Sequence, residues 1–168
     1  MNMKTFWRRI SAELCYVPTV PALITAVVCL ILGLVVAVSS KSYGVFLPRT
    51  VFSVVFMGIF WSVFYMTVGF ALGCFLFSEY PCANVRGEQT ALLFLCTLVL
   101  SYAWTVVVCK AGNFFLGLLI CFLIVACLIT LFLVLRKCCF LSGIMVLFGN
   151  VWIFYVIYYT FSLMFFHL

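Results

Sequence analysis

The chain has 168 residues, of which 69% are apolar and 7% charged, against roughly 45–50% and 25% in an ordinary soluble domain. Nine Lys/Arg and three Glu cannot coat a soluble domain of this size, so a soluble enzyme and a disordered tail are both excluded. The net charge of +6 does not imply a nucleic-acid partner. The basic residues sit singly or in pairs at the ends of apolar runs, as lipid-flanking anchors do, and form no clustered face.

Residues 1–19 are mixed, with Trp7, Arg8, Arg9 and Glu13, and read as an interfacial segment ending near Pro18 and Pro21. The rest, 20–168, reads as one membrane domain. Its first apolar run covers 20–38 and stops at Ser39-Ser40-Lys41. Ala37-Val38-Ser39 resembles a small-residue cleavage site, but the run exceeds the roughly 7–15 apolar residues of a signal peptide. It is therefore taken as a retained span. A loop with Gly44 and Pro48 leads to a second run, 51–77. The linker 78–89 is the most polar stretch, carrying Glu79, Pro81, Arg86 and Glu88, and is expected to be a solvent-exposed loop. The third run is 90–109. Lys110-Ala111-Gly112-Asn113 then makes a tight connection to the fourth, 114–135, so those two spans should be antiparallel neighbours. Arg136-Lys137 breaks the fourth run, and the fifth covers 140–166.

Each run meets the roughly 20 apolar residues that a bilayer core demands. The expected fold is all-α, a polytopic membrane protein built as a five-transmembrane-helix bundle. Five spans put the N-terminus, the second-to-third linker and the fourth-to-fifth linker on one side, with Lys4, Arg8, Arg9, Arg86, Arg136 and Lys137. The other side holds Lys41, Arg49 and Lys110. This bias favours a cytosolic N-terminus and an outward C-terminus.

No ionisable Asp, Glu, Lys, Arg or His lies in the middle of a run, which argues against an ion- or proton-coupled carrier. What the spans carry is aromatic and hydroxyl side chains at helical spacing. Trp61, Tyr65 and Gly69 recur every fourth residue in the second span, and Gly73 completes a G-x-x-x-G. Thr97, Ser101 and Trp104 share a face in the third, and Trp152, Tyr155, Tyr159 and Ser162 in the fifth. A Tyr hydroxyl or indole N–H in hydrocarbon needs a partner, so these faces should point into the bundle. Such faces can build a pocket for a flat apolar ligand. Plain helix packing with interfacial aromatic belts accounts for the same pattern.

Ten cysteines are present, and the only histidine is His167. Cys29, Cys74, Cys96, Cys121 and Cys127 fall inside apolar runs, where they serve as small packing residues. No C-x-x-C pair occurs, so neither a metal site nor thiol redox chemistry is expected. The vicinal pair Cys138–Cys139 follows Arg136-Lys137 directly, which makes it a candidate S-palmitoylation site or simply a helix start. No nucleophile–base pair can be assembled, so no enzyme activity and no cofactor are expected.

The residues on these inward faces resemble the TspO/translocator protein family, also called peripheral benzodiazepine receptors. Trp61-Ser62-Val63-Phe64-Tyr65-Met66-Thr67-Val68-Gly69-Phe70-Ala71 resembles the family's W-x-x-x-Y-x-x-M-G-x-A signature, with Val68 in place of Met. Ser101-Tyr102-Ala103-Trp104 resembles its N-x-A-W element, with Ser in place of Asn. Trp152 stands where the family has the Trp of P-Y-x-x-W. The chain departs from the family where Thr105 and Val106 replace prolines, Phe148 and Gly149 replace Pro-Tyr, and Thr160 replaces Asn. The C-terminal cholesterol pattern, Tyr followed by Lys/Arg, is absent. Two loose cholesterol-type patterns, Leu76…Tyr80…Arg86 and Lys41-Ser42-Tyr43-Gly44-Val45, carry little weight, since such motifs arise by chance in aromatic-rich chains.

The resemblance implies binding or transport of a lipophile, a tetrapyrrole or sterol, inside the bundle. Trp61, Trp104 and Trp152 would border the pocket and Tyr65 would orient a polar group. It also implies the mitochondrial outer membrane or the endoplasmic reticulum as location, membrane lipid as a partner, and leaves a homo-oligomer open. The competing reading is a non-catalytic protein that binds other membrane proteins through helix faces, with Gly69 and Gly73 as packing residues. A small oligomeric channel is a third reading, disfavoured by the many Phe and the lack of charged pore-lining residues.

Overall fold

The computed structural model describes residues 19–39, 54–77 and 87–166. Among these the chain forms five long helices: α1 (Thr19–Ser39), α2 (Val54–Phe77), α3 (Gly87–Thr105), α4 (Phe114–Cys138) and α5 (Phe140–Phe166). Helix α3 continues into a π-helical turn, Val106–Lys110. All five carry a stretch long and apolar enough to cross a bilayer. The protein is an all-α, multi-pass membrane protein.

The helix limits differ from the expected spans where polar residues prove compatible with helix. Pro21 lies inside the first turn of α1, where its missing N–H has no intrahelical partner to lose. Helix α3 starts at Gly87, three residues early, with Glu88 in its first turn, where the positive end of the helix dipole favours a carboxylate. Helix α4 runs past Arg136 to Cys138, because Arg and Lys are good helix formers that mark the membrane edge and not the helix end. The interfacial segment, the loop before α2, residues 78–86 of the polar linker and His167 lie outside the described residues. So do Tyr80, Arg86 and the Lys41–Val45 pattern of the cholesterol-type motifs.

Neighbouring helices follow the order α1–α2–α5–α4–α3 around the bundle. The α1/α2 and α4/α5 interfaces are the most extensive, and α3 also touches α1 and α2. Lipid tails are as apolar as the side chains, so close packing and interhelical hydrogen bonds hold such a bundle together. The α1/α2 contact shows how. Helix α1 buries a stripe of small residues, Ala22, Ala26, Cys29 and Gly33. A Cβ added to Gly69 would stand 2.9 Å from the Ala26 Cα, and one on Gly73 would collide with Ala22. Gly33 in turn lies under the Tyr65 ring.

Hydrogen bonds also tie helices together across the bundle. The Tyr102 hydroxyl donates to the Cys29 carbonyl at 3.0 Å, joining α3 to α1. Ser142 Oγ donates to the Ala71 carbonyl at 3.0 Å, joining α5 to α2.

The connections are as short as the sequence implies. After the π turn, Ala111 N–H donates to Val106 O and Asn113 N–H to Val107 O, at 3.1 and 3.2 Å. Gly112 takes a left-handed φ of +64°, which glycine adopts at no steric cost. The Asn113 side chain then accepts from the Leu116 N–H at 3.0 Å and caps α4. At the α4–α5 corner only Cys139 leaves helical geometry. Gly143 closes that corner by lying on the backbone of Arg136, where a Cβ would stand 3.2 Å from the amide nitrogen.

Candidate functional site

Trp61, Trp104 and Trp152 come from α2, α3 and α5 and meet in one aromatic cluster. Trp61 is at its centre, 5.2 Å from the Trp104 ring and 6.1 Å from that of Trp152, the second pair edge-on at 87°. Tyr65, one turn along α2, stacks on Trp61 at 5.5 Å and reaches Tyr102 at 5.0 Å. Trp104 is 2% exposed, Tyr65 4% and Trp152 9%, while Trp61 is half-buried. Each such ring contact contributes about 0.5–1.5 kcal/mol beyond area burial. Trp7 lies outside the described residues.

The polar groups of this interior divide into two sets. The Ser and Thr hydroxyls are satisfied by the backbone of their own helices: Thr97 Oγ1 donates to Leu93 O (2.8 Å), Ser101 Oγ to Thr97 O (2.7 Å) and Thr160 Oγ1 to Val156 O (2.8 Å). The indoles are not. Among the described residues, Trp152 Nε1 is buried without a hydrogen-bond acceptor and Asn150 Oδ1 without a donor, while the buried Trp104 Nε1 has no oxygen or nitrogen acceptor and lies toward the sulfur of Cys121, a weak one. A buried polar group left unpaired costs about 1–3 kcal/mol, and in hydrocarbon no water relieves it. The Trp104 nitrogen faces Gly117 of α4, where a Cβ would stand 3.7 Å away.

Trp152 also forms part of a second feature. A cavity of about 570 Å³ opens between α2 and α5, lined by Phe60, Val63, Phe64, Thr67, Phe148, Gly149, Val151, Trp152 and Tyr155. Its volume falls in the range of small-molecule sites, about 300–1,000 Å³. Phe60 stacks on Trp152 at 4.9 Å and 17°. The cavity faces outward: Phe148, on its rim, is 64% exposed. Thus the structure gathers the four expected ligand residues in one place, yet only Trp152 reaches the cavity. Trp61, Tyr65 and Trp104 pack behind it.

Phe60, Phe64, Gly149 and Tyr102 were not readable as site residues. Phenylalanine has no polar tip to mark an inward face, and Gly149 stands in a position where the family has an aromatic. The one available signal was spacing, since Phe60 and Phe64 lie four apart beside Trp61.

The remaining candidates have other surroundings. Gly69 and Gly73 are occupied by α1 within the same chain, so neither is open to another membrane protein. Cys139 is 6% exposed, with its sulfur 3.1 Å from Ser142 Oγ. The side chain of Cys138 lies outside the described residues. Among the described residues the charged side chains Glu88, Lys110 and Arg136 are exposed near helix ends, and no group of three metal-ligating side chains is present.

No curated protein matches the chain significantly. The model of the TspO/MBR family, however, matches residues 22–166, a range that takes in all five helices and the three clustered tryptophans. The chain belongs to the TspO/MBR family.

Proposed function

We propose that the protein binds or transports a flat lipophilic ligand, a tetrapyrrole, sterol or related molecule, at the tryptophan cluster, without catalysing a reaction. The observation that carries this reading is the pair of buried indole donors that lack a strong acceptor. The same interior satisfies the Thr97, Ser101 and Thr160 hydroxyls, yet leaves the Trp152 N–H without an acceptor and the Trp104 N–H with the sulfur of Cys121, a weak acceptor. A lipophile bearing an oxygen or nitrogen acceptor would remove that cost and stack on the rings. Family membership supports the same reading, and also a location in the mitochondrial outer membrane or endoplasmic reticulum. The membrane-interaction alternative loses its main motif, because Gly69 and Gly73 pack against α1.

Titration of the purified protein in detergent with protoporphyrin, following the porphyrin's own absorption band, tests the proposal. A saturable shift at about one ligand per chain is expected. A shift that only tracks the amount of detergent would contradict it. Fractionation against markers of the two membranes tests the location.

A further inference from the structure

We propose that the groove between α2 and α5 is a seat for one acyl chain of a bilayer phospholipid, and that this chain touches Trp152. The groove lies at hydrocarbon depth: its lining residues from Phe60 to Thr67 and from Phe148 to Tyr155 fall inside the spans Gly58–Phe77 and Phe140–Phe165. It opens sideways, with Val63, Phe148 and Val151 all exposed on its rim. A space of about 570 Å³ open to the bilayer is filled by its neighbours, since a gap forfeits the dispersion contacts of every side chain that lines it. Water does not fill it, because an apolar cavity stays dry and the bilayer core supplies none.

The walls also say which part of a lipid enters. The Thr67 hydroxyl is turned away to its own helix, donating to the Val63 carbonyl at 2.6 Å. The rest of the lining is ring faces, branched side chains and the bare backbone of Gly149, with the Tyr155 hydroxyl and the Trp152 N–H as the other polar groups of those side chains. That combination accepts hydrocarbon and presents no charged side chain to a phosphate. Gly149 is what keeps the floor low: a Cβ there would stand 3.3 Å from Phe64 Cε2. The groove shares only Trp152 with the cluster that carries the indole N–H groups, and the chain bound in it covers the outer edge of that cluster.

The test uses phosphatidylcholine carrying bromine on its acyl chains, which quenches only those indoles that its chains touch. The full chain, with tryptophan kept at position 152 alone or at position 104 alone and the others replaced by Phe, is reconstituted in brominated and unbrominated bilayers. We expect strong quenching of Trp152 and little of Trp104, although both are nine-tenths or more buried by protein. Gly149→Leu, which fills the groove, should cause a loss of the Trp152 quenching. Equal quenching of the two indoles, or quenching of Trp152 that survives Gly149→Leu, would overturn the proposal. Should the single-tryptophan proteins fail to assemble, Trp7→Phe with and without Gly149→Leu gives the same comparison: the quenchable fraction must fall. No tetrapyrrole or sterol is added, so the result stands apart from that of the ligand titration.

Discussion

Trp152 takes part in both features of this protein, stacking on Phe60 at the bilayer side and meeting Trp61 edge-on inside. Its two properties can be separated by substitution. Trp152→Phe keeps a ring but removes the unpaired donor, whereas Trp152→Leu removes the ring as well. If the N–H meets a ligand acceptor, Trp152→Phe should weaken binding by about 0.5–1.5 kcal/mol, up to about tenfold. Trp152→Leu should weaken it further, since stacking contributes a similar amount. Calorimetric or spectroscopic titration of the two variants measures both steps. At this scale the sequence was informative about which aromatic residues turn inward, because a polar tip in hydrocarbon needs company. It said nothing of Phe60 and Phe64, whose rings carry no such tip.

Helix pairs are where the small residues act. Gly73→Leu should separate α1 from α2, because even a Cβ at that position meets Ala22. Gly58, on the same helix, has nothing within 4 Å of an added Cβ. Gly58→Ala should therefore leave thermal stability in detergent unchanged or raise it by up to about 1 kcal/mol, the helix-propensity difference, while Gly73→Leu lowers the unfolding temperature or prevents assembly. Equal behaviour of the two variants would contradict the α1/α2 packing. Ser142→Ala, which removes the α5-to-α2 hydrogen bond, should cost about 0.6 kcal/mol, the average for such bonds in membranes.

The G-x-x-x-G was visible as a packing motif, but its partner was not. The matching stripe of Ala22, Ala26 and Gly33 was there to be read, although in a run this apolar, alanine and glycine do not stand out as a face. The π turn at Val106–Lys110 was less legible still. It begins at Val106, the second of the two positions where the family has prolines, and no residue type in it demands the wider turn.

The five spans of the whole molecule were legible because hydropathy and charge report directly on bilayer thickness. The α2/α5 contact, and so the groove, was not, since those helices are far apart in sequence and no pattern along either names the other. Five spans require the termini to lie on opposite sides. Tags at the two ends, probed by protease in sealed membranes, should be cleaved from opposite faces, the N-terminal tag from the cytosolic one. Cleavage of both from one face would contradict the five-helix arrangement. The claim that rests most heavily on the assembled bundle is that its three tryptophans form one ligand site. Titration of the protein with protoporphyrin while following tryptophan fluorescence tests it most directly, run on the wild type and on Trp61→Leu, Trp104→Leu and Trp152→Leu. Saturable quenching in the wild type and a weaker midpoint in all three variants are expected, although the residues come from three different helices. Unchanged binding in all three, or quenching that never saturates, would contradict it.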